Sequence, residues 1–221
     1  MNYYPVFLDL KGRKVVVVGG GKVAERKVLA LLKAGADITV ISPSMTRRLL
    51  GERAKKTIRH IPRHFAGNDL KGAFLTIAAT DSPEINREAA LRAPALVNVV
   101  DVPSECNCIT PSVITRGALT IAISTGGASP ALAKTVRKEL EGIYGPEIAG
   151  YLKFLRGMRT KTLSGIGHKA TREKFLKSLA SPAIVKMLRT KGLAEVRKSV
   201  LSRFRALAGK PAHKNGRRGK G

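Results

Sequence analysis

The chain has only two cysteines, Cys106 and Cys108, and no tryptophan among its 221 residues. Two thiols separated by one residue supply no disulfide framework, and such cysteine usage suits a reducing compartment. Aromatic residues make up 5% of the sequence, which leaves few of the stacking platforms that single-stranded nucleic acid requires. Acidic residues are also scarce: 15 Asp plus Glu face 41 Lys plus Arg, for a net charge of +26. An excess of that size points to a polyanionic partner or substrate. Long hydrophobic runs are missing too. The most apolar stretches, Lys14 to Gly19 and Leu119 to Ile123, fall far short of the about 18–20 residues that a membrane-spanning helix needs. Met1 to Leu10 lacks the basic start, apolar run and small-residue cleavage site of a secretory signal, so the expected location is cytoplasmic. No G-x-x-x-x-G-K-S/T occurs, which excludes a P-loop.

What is present is an ordinary globular balance, 43% hydrophobic and 25% charged, over a length that accommodates one large or two small domains. The charge is uneven. Residues 1–144 hold 21 basic and 12 acidic side chains, whereas residues 145–221 hold 20 and 3. Residues 209–221 contain no large apolar side chain to bury and read as a disordered basic tail, serving either solubility or nucleic-acid contact.

Along the chain, Lys14 to Val18 is a β-branched run that ends in glycines, after which Ala24, Val28, Leu31 and Leu32 recur at helical spacing. The helix stops at Gly35, and Asp37 to Ile41 supplies a second short strand, completing one βαβ unit. Thr57 to Ile61 reads as a weak third strand and Phe74 to Ala79 as a stronger fourth. Asp81 or Ser82 caps a helix that begins at Pro83, and Leu96 to Val100 forms another buried strand ending at Asp101. From Pro111 the pattern becomes a β-hairpin, Val113 to Thr115 and Leu119 to Ser124 around Arg116-Gly117, followed by a helix capped by Ser129 with Pro130 in its first turn. Beyond Gly145 the chain reads as helical, with segments marked by Ile148, Leu152 and Leu155, by Arg172 to Leu179, by Ile184 to Leu188 and by Leu193 to Leu207. The fold class is therefore α/β: a Rossmann-like parallel sheet, a hairpin-helix segment, and a helical C-terminal region. The expected divisions are 1–112, 113–144, 145–208 and the tail 209–221.

Gly19-Gly20-Gly21-Lys22-Val23-Ala24 fits G-x-G-x-x-A between a strand and a helix, which is the context that gives this motif meaning. Gly19 permits a tight turn, Gly21 lets the backbone approach a pyrophosphate, and Ala24 lets the helix pack close to the strand. The helix start at Lys22 and Val23 offers free N–H groups to phosphate. An NAD site of this type usually carries Asp or Glu at the end of the second strand. Here Ser42, Pro43 and Ser44 occupy that place, and the nearby Arg47 and Arg48 suit a 2′-phosphate, so NAD and NADP both stay open on chemistry alone. Asp101, at the carboxyl edge of an open α/β sheet, reads either as a general base or as a cap of the turn Val102-Pro103-Ser104. Cys106 and Cys108 lack the further ligands that structural zinc wants and read as plain thiols, with no metal site assigned. His60, His64, His168 and His213 form no recognisable ligand set.

Taken together, Tyr4 to Leu10, Val18 to Lys27, Ala78-Ala79-Thr80-Asp81, Asn98-Val99-Val100-Asp101 and Ser124 to Pro130 resemble the precorrin-2 dehydrogenase family, over residues 3 to about 141. The resemblance implies oxidation of precorrin-2 to sirohydrochlorin with NAD+ accepting a hydride, in a homodimer with interlocked subunits and a substrate cleft near the dimer interface. It implies that Asp101 is the catalytic aspartate and that Gly19, Gly21, Lys22, Val23, Ser42, Pro43, Ser44, Thr80 and Asp81 bind the cofactor, with Thr80 and Asp81 bordering its nicotinamide half. Thr125, Gly126, Gly127 and Ser129 are expected to meet substrate carboxylates at a second helix start, although N-capping alone also accounts for Ser129. The eight carboxylates of precorrin-2 give the positive charge a partner. Two alternatives stand beside this one: a bifunctional dehydrogenase/ferrochelatase, and, more weakly, a Rossmann-derived nucleic-acid-binding protein.

Overall fold

Strand β1 (Lys14–Val18) is one lysine followed by four valines, and all four valines are at 0–1% exposure. A strand buried on both faces belongs inside a sheet that is covered by helices on each side. In the computed structural model, which describes residues 3–208, β1 is the middle of five parallel strands in the order β3-β2-β1-β4-β5. The others are β2 (Asp37–Ile41), β3 (Arg59–Ile61), β4 (Leu75–Ala78) and β5 (Leu96–Val99). Between them run helices α1 (Lys22–Lys33), α2 (Arg47–Ala54) and α3 (Pro83–Arg92). The two-residue period of a strand then sorts the valines. Val15 and Val17 pack with Ala24 and Val28 of α1 and with Ile38 and Val40, whereas Val16 and Val18 pack with Ala89 of α3 and with Ile41, Val97 and Val99. The basic tail expected over residues 209–221 lies outside the described residues.

Helix α2 has no counterpart among the elements expected from the sequence. Four of its eight residues are charged and one is Gly51, so no apolar stripe marks it. It forms because Thr46 caps it, accepting the Leu49 N–H at 3.3 Å, and because Leu49 is completely buried.

The chain divides into two compact units between Thr110 and Pro111. The second unit opens with the antiparallel hairpin β6 (Ser112–Arg116) and β7 (Leu119–Ile123), turning through Gly117 at φ +62°. Helix α4 (Pro130–Ile143) follows, then α5 (Glu147–Gly165), α6 (Lys169–Leu179) and α7 (Pro182–Ala208). Gly192 breaks α7 with φ 78° and ψ 175°, between the two segments expected as separate helices. Ile148, Met158, Phe175, Leu179, Leu188, Val196 and Val200 form the core of this unit. Tyr151 joins them by donating its hydroxyl to the Leu179 carbonyl at 2.5 Å, and burial pushes its phenol up to about 12. Among the described residues no helix is long and apolar enough to cross a membrane.

Candidate cofactor site

The carboxyl ends of β1, β2 and β4 open onto one cleft of about 520 Å³. It lies where the strand order reverses, between β1 and β4, which is where open α/β sheets bind ligands. Gly19, Gly21, Ser42, Pro43, Ser44, Thr80 and Asp81 all line it. Lys22 and Val23 do not, but they stand in the first turn of α1, where main-chain N–H groups have no partner within the helix. Asp101 is also outside this lining.

The glycines of the β1–α1 turn differ in what they do. Gly19 adopts φ +119°, and a Cβ there would overlap the Ala79 carbonyl at the end of β4. A Cβ on Gly20 would overlap the Ser44 carbonyl, and the Gly20 carbonyl accepts the Thr46 N–H at 3.0 Å. The turn is thus clamped between β4 and the loop after β2. Gly21 is the N-cap of α1 without a side-chain cap, and a Cβ on it would enter open space. That space beside an uncapped helix start fits a pyrophosphate. In the motif Gly20 is a free position, and the need for glycine there shows only once the Ser44 carbonyl is in place.

Ser42 is buried at the end of β2, and its hydroxyl donates to the Ser44 carbonyl at 2.7 Å. Arg48 is engaged by Glu52 at 3.7 Å. On the other side of the cleft, Thr80 is locked by Asn86, a buried side chain of α3 that no sequence motif marks. Asn86 Oδ1 accepts from the Thr80 amide at 3.1 Å and from its hydroxyl at 2.8 Å, while Asn86 Nδ2 donates to the Thr80 carbonyl at 3.0 Å. Ser82, not Asp81, caps α3 by accepting the Ile85 N–H at 3.2 Å, and Asp81 is left exposed. Thr46, His64, Phe65 and Ile85 also line the cleft, without any motif that announces them.

Asp101 follows β5 with φ +61°, one of two non-glycine residues with positive φ among the described residues, and its side chain is exposed. In the second unit, Thr125 and Ser129 sit around Gly126 and Gly127, whose φ angles are +63° and +90°. The Thr125 hydroxyl oxygen accepts the Ser129 N–H and the Ser129 hydroxyl oxygen accepts the Leu132 N–H, each at 3.1 Å. Both hydroxyl protons stay available to an acceptor outside the turn. Among the described residues no group of three or more His, Cys, Asp or Glu could hold a metal ion.

Glycine-rich turn, open helix start and switch-point cleft define a Rossmann-type nucleotide-binding module. Comparison with known proteins specifies it further. Residues 6–112 match a family described as putative NAD(P)-binding, and residues 116–143 match one described as the central part of a sirohaem biosynthesis protein. The solved structure of SirC, a precorrin-2 dehydrogenase, superposes with a TM-score of 0.78 and 30% identity, covering 90% of this chain and all of that one. The sirohaem synthase of Thioalkalivibrio sulfidiphilus is 38% identical over 190 residues, 85% of this chain and 39% of that protein. That of Methylobacillus flagellatus is 40% identical over 172 residues, 75% of this chain and 37% of that protein. The chain therefore belongs to the precorrin-2 dehydrogenase family, and it spans about two fifths of the length of these two sirohaem synthases.

Proposed function

We propose that this protein is a precorrin-2 dehydrogenase: it oxidises precorrin-2 to sirohydrochlorin with NAD+ as acceptor, and works as a cytoplasmic homodimer. The observation that carries this reading is the cleft at the switch point, where Gly21 leaves open space beside an uncapped helix start. The similarity to the dehydrogenase over its whole length supports the substrate. A bound nicotinamide would supply the hydride acceptor for a reduced carbon of the ring.

The N–H groups of Lys22 and Val23, beside the open space at Gly21, would hold the pyrophosphate. Ser42 Oγ has its proton committed to the Ser44 carbonyl, so its oxygen is left to accept a bond from a ribose hydroxyl, and this favours NAD+ over a 2′-phosphate. Pro43 and Ser44 wall the same side, and Thr80 and Asp81 border the nicotinamide half. As the hydride departs, the ring must also lose a proton, and the Asp101 carboxylate takes it as general base. In the second unit, the free hydroxyl protons of Thr125 and Ser129 and the open backbone of Gly126 and Gly127 suit the carboxylates of the ring. The dimer is supported by apolar side chains left at the surface of the same unit, Val113 at 42%, Leu132 at 54% and Ile143 at 40% exposure.

The test gives the purified protein precorrin-2 with NAD+ or NADP+ and follows nucleotide reduction by absorbance. Reduction of NAD+ is expected, and none with either nucleotide would sink the proposal. Asp101→Ala is expected to keep NAD+ affinity within about twofold while turnover falls by about 10²–10⁴, the usual contribution of a positioned base. Undiminished turnover would remove Asp101 from this role.

A further inference from the structure

Strand β5 is an edge of the sheet, so the outward N–H and C=O groups of Val97 and Val99 have no neighbouring strand to pair with. Residues Cys106 to Cys108 take that place. Asn107 Oδ1 accepts the Val97 N–H at 2.7 Å, and the Val97 carbonyl accepts the N–H groups of Asn107 and Cys108 at 3.2 Å each. One step along the strand the partner is sulfur. Cys106 Sγ accepts the Val99 N–H at 3.1 Å and lies 3.2 Å from the Val99 carbonyl and 3.3 Å from the Val102 carbonyl, both acceptors for its single proton.

That one thiol therefore bridges the two residues on either side of Val100-Asp101. The Val100 N–H still donates to the Ala78 carbonyl at 2.9 Å, so the chain leaves the sheet at Asp101 itself, through the left-handed backbone step. Aspartate tolerates that conformation better than most residues, but on its own would not be confined to it. The Asn98 side chain fastens the returning segment to the same strand as well. Asn98 Nδ2 donates to the Cys108 carbonyl at 3.1 Å, and Asn98 Oδ1 accepts from Lys27 Nζ at 3.3 Å, while Lys27 Nζ also donates to Thr110 Oγ1 at 3.0 Å.

We propose that Cys106 is a positioning residue, whose thiol bridges Val99 and Val102 and so fixes the left-handed turn that presents the Asp101 carboxylate. This rests on Asp101 acting as the proton acceptor. Cys106 lies outside the lining of the cofactor cleft and acts on turnover only through Asp101. Sulfur suits the task because its long bond to carbon reaches both carbonyls, whereas a hydroxyl in the same place reaches them less well.

The experiment compares Cys106→Ala, Cys106→Ser, Asp101→Ala and the double variant Cys106→Ala/Asp101→Ala. It reads kcat and KM for precorrin-2 oxidation, NAD+ affinity, and amide hydrogen exchange over residues 99–102. Cys106→Ala is expected to lower kcat about tenfold, the scale of a displaced catalytic group, with NAD+ affinity within about twofold. Exchange over the turn should rise, and Cys106→Ser should recover part of both effects. The double variant should match Asp101→Ala alone, because two residues that act through one group are not additive. Wild-type kcat in Cys106→Ala, or a further loss on adding it to Asp101→Ala, overturns the proposal. If Asp101→Ala itself keeps full turnover, the reading of Asp101 has failed, and exchange then decides the remainder: unchanged protection in Cys106→Ala means the thiol does not hold the turn either. Should Cys106→Ala lose NAD+ binding through misfolding, Cys106→Ser carries the same comparison, and wild-type kcat and exchange there overturn the proposal.

Discussion

The two units of the molecule bury their strands by different rules. In the first, Val15 to Val18 are enclosed on both sides, and the parallel sheet completes its own core with α1 and α3. In the second, β6 has one fully buried residue, Ile114, and β7 has none. A lone two-stranded hairpin is marginal in water, so the second unit draws its stability from the helical core around Met158, Phe175, Leu179 and Leu188. The two units are therefore open to perturbation in different places: the first through the packing of its sheet and the glycine turn, the second through its helices and its exposed apolar side chains.

Core truncation should separate the two units most strongly. Leu188→Ala should destabilise the second unit by about 2–5 kcal/mol, the range for a buried leucine, while nicotinamide-nucleotide affinity of the first unit stays unchanged. Calorimetry with nucleotide titration checks it, and parallel loss of nucleotide binding would show the units are not energetically separate. A smaller effect compares equivalent caps. Ser82→Ala and Ser129→Ala should each cost about 1 kcal/mol in urea denaturation. If Ser129 also binds substrate, only its variant raises KM for precorrin-2; equal and unchanged KM values would reduce Ser129 to a cap. A third effect, confined to alkaline solution, is a pH dependence in the first unit. Burial, and then the neighbouring Cys106, push the Cys108 thiol up from 9.0 to about 11. The folded state therefore holds this proton more tightly than the unfolded chain, and the stability it contributes is present below pH 9 and is lost as pH rises towards 11. Urea midpoints measured across that window should fall less steeply in Cys108→Ala, and identical slopes would contradict the assignment.

Much of the first unit is legible in the amino-acid sequence. The run Lys14 to Val18, the helical spacing of Ala24 and Val28 and the Gly19 turn are local signals, and they lead directly to β1, α1 and the cleft. Ser129 and Pro130 mark the start of α4 in the second unit for the same reason, since a cap acts on its own helix. Helix α2 is not legible, because its stability comes from burying Leu49 and from the Thr46 cap and not from an apolar stripe. Nor is Asn86, whose partner Thr80 lies in the preceding loop and whose burial follows from the packing of α3.

The α/β class and the glycine-rich turn were fixed by residue type and spacing over a few positions, and the excess of positive charge by composition alone. Tertiary structure decided three further things. It placed the Ser44 carbonyl where only glycine fits at position 20, closed Asn86 over Thr80, and laid Cys106 to Cys108 along the open edge of β5. Each joins groups whose meeting depends on how loops return to the sheet, and a hydrogen bond or a steric exclusion of that kind leaves no periodicity in the chain.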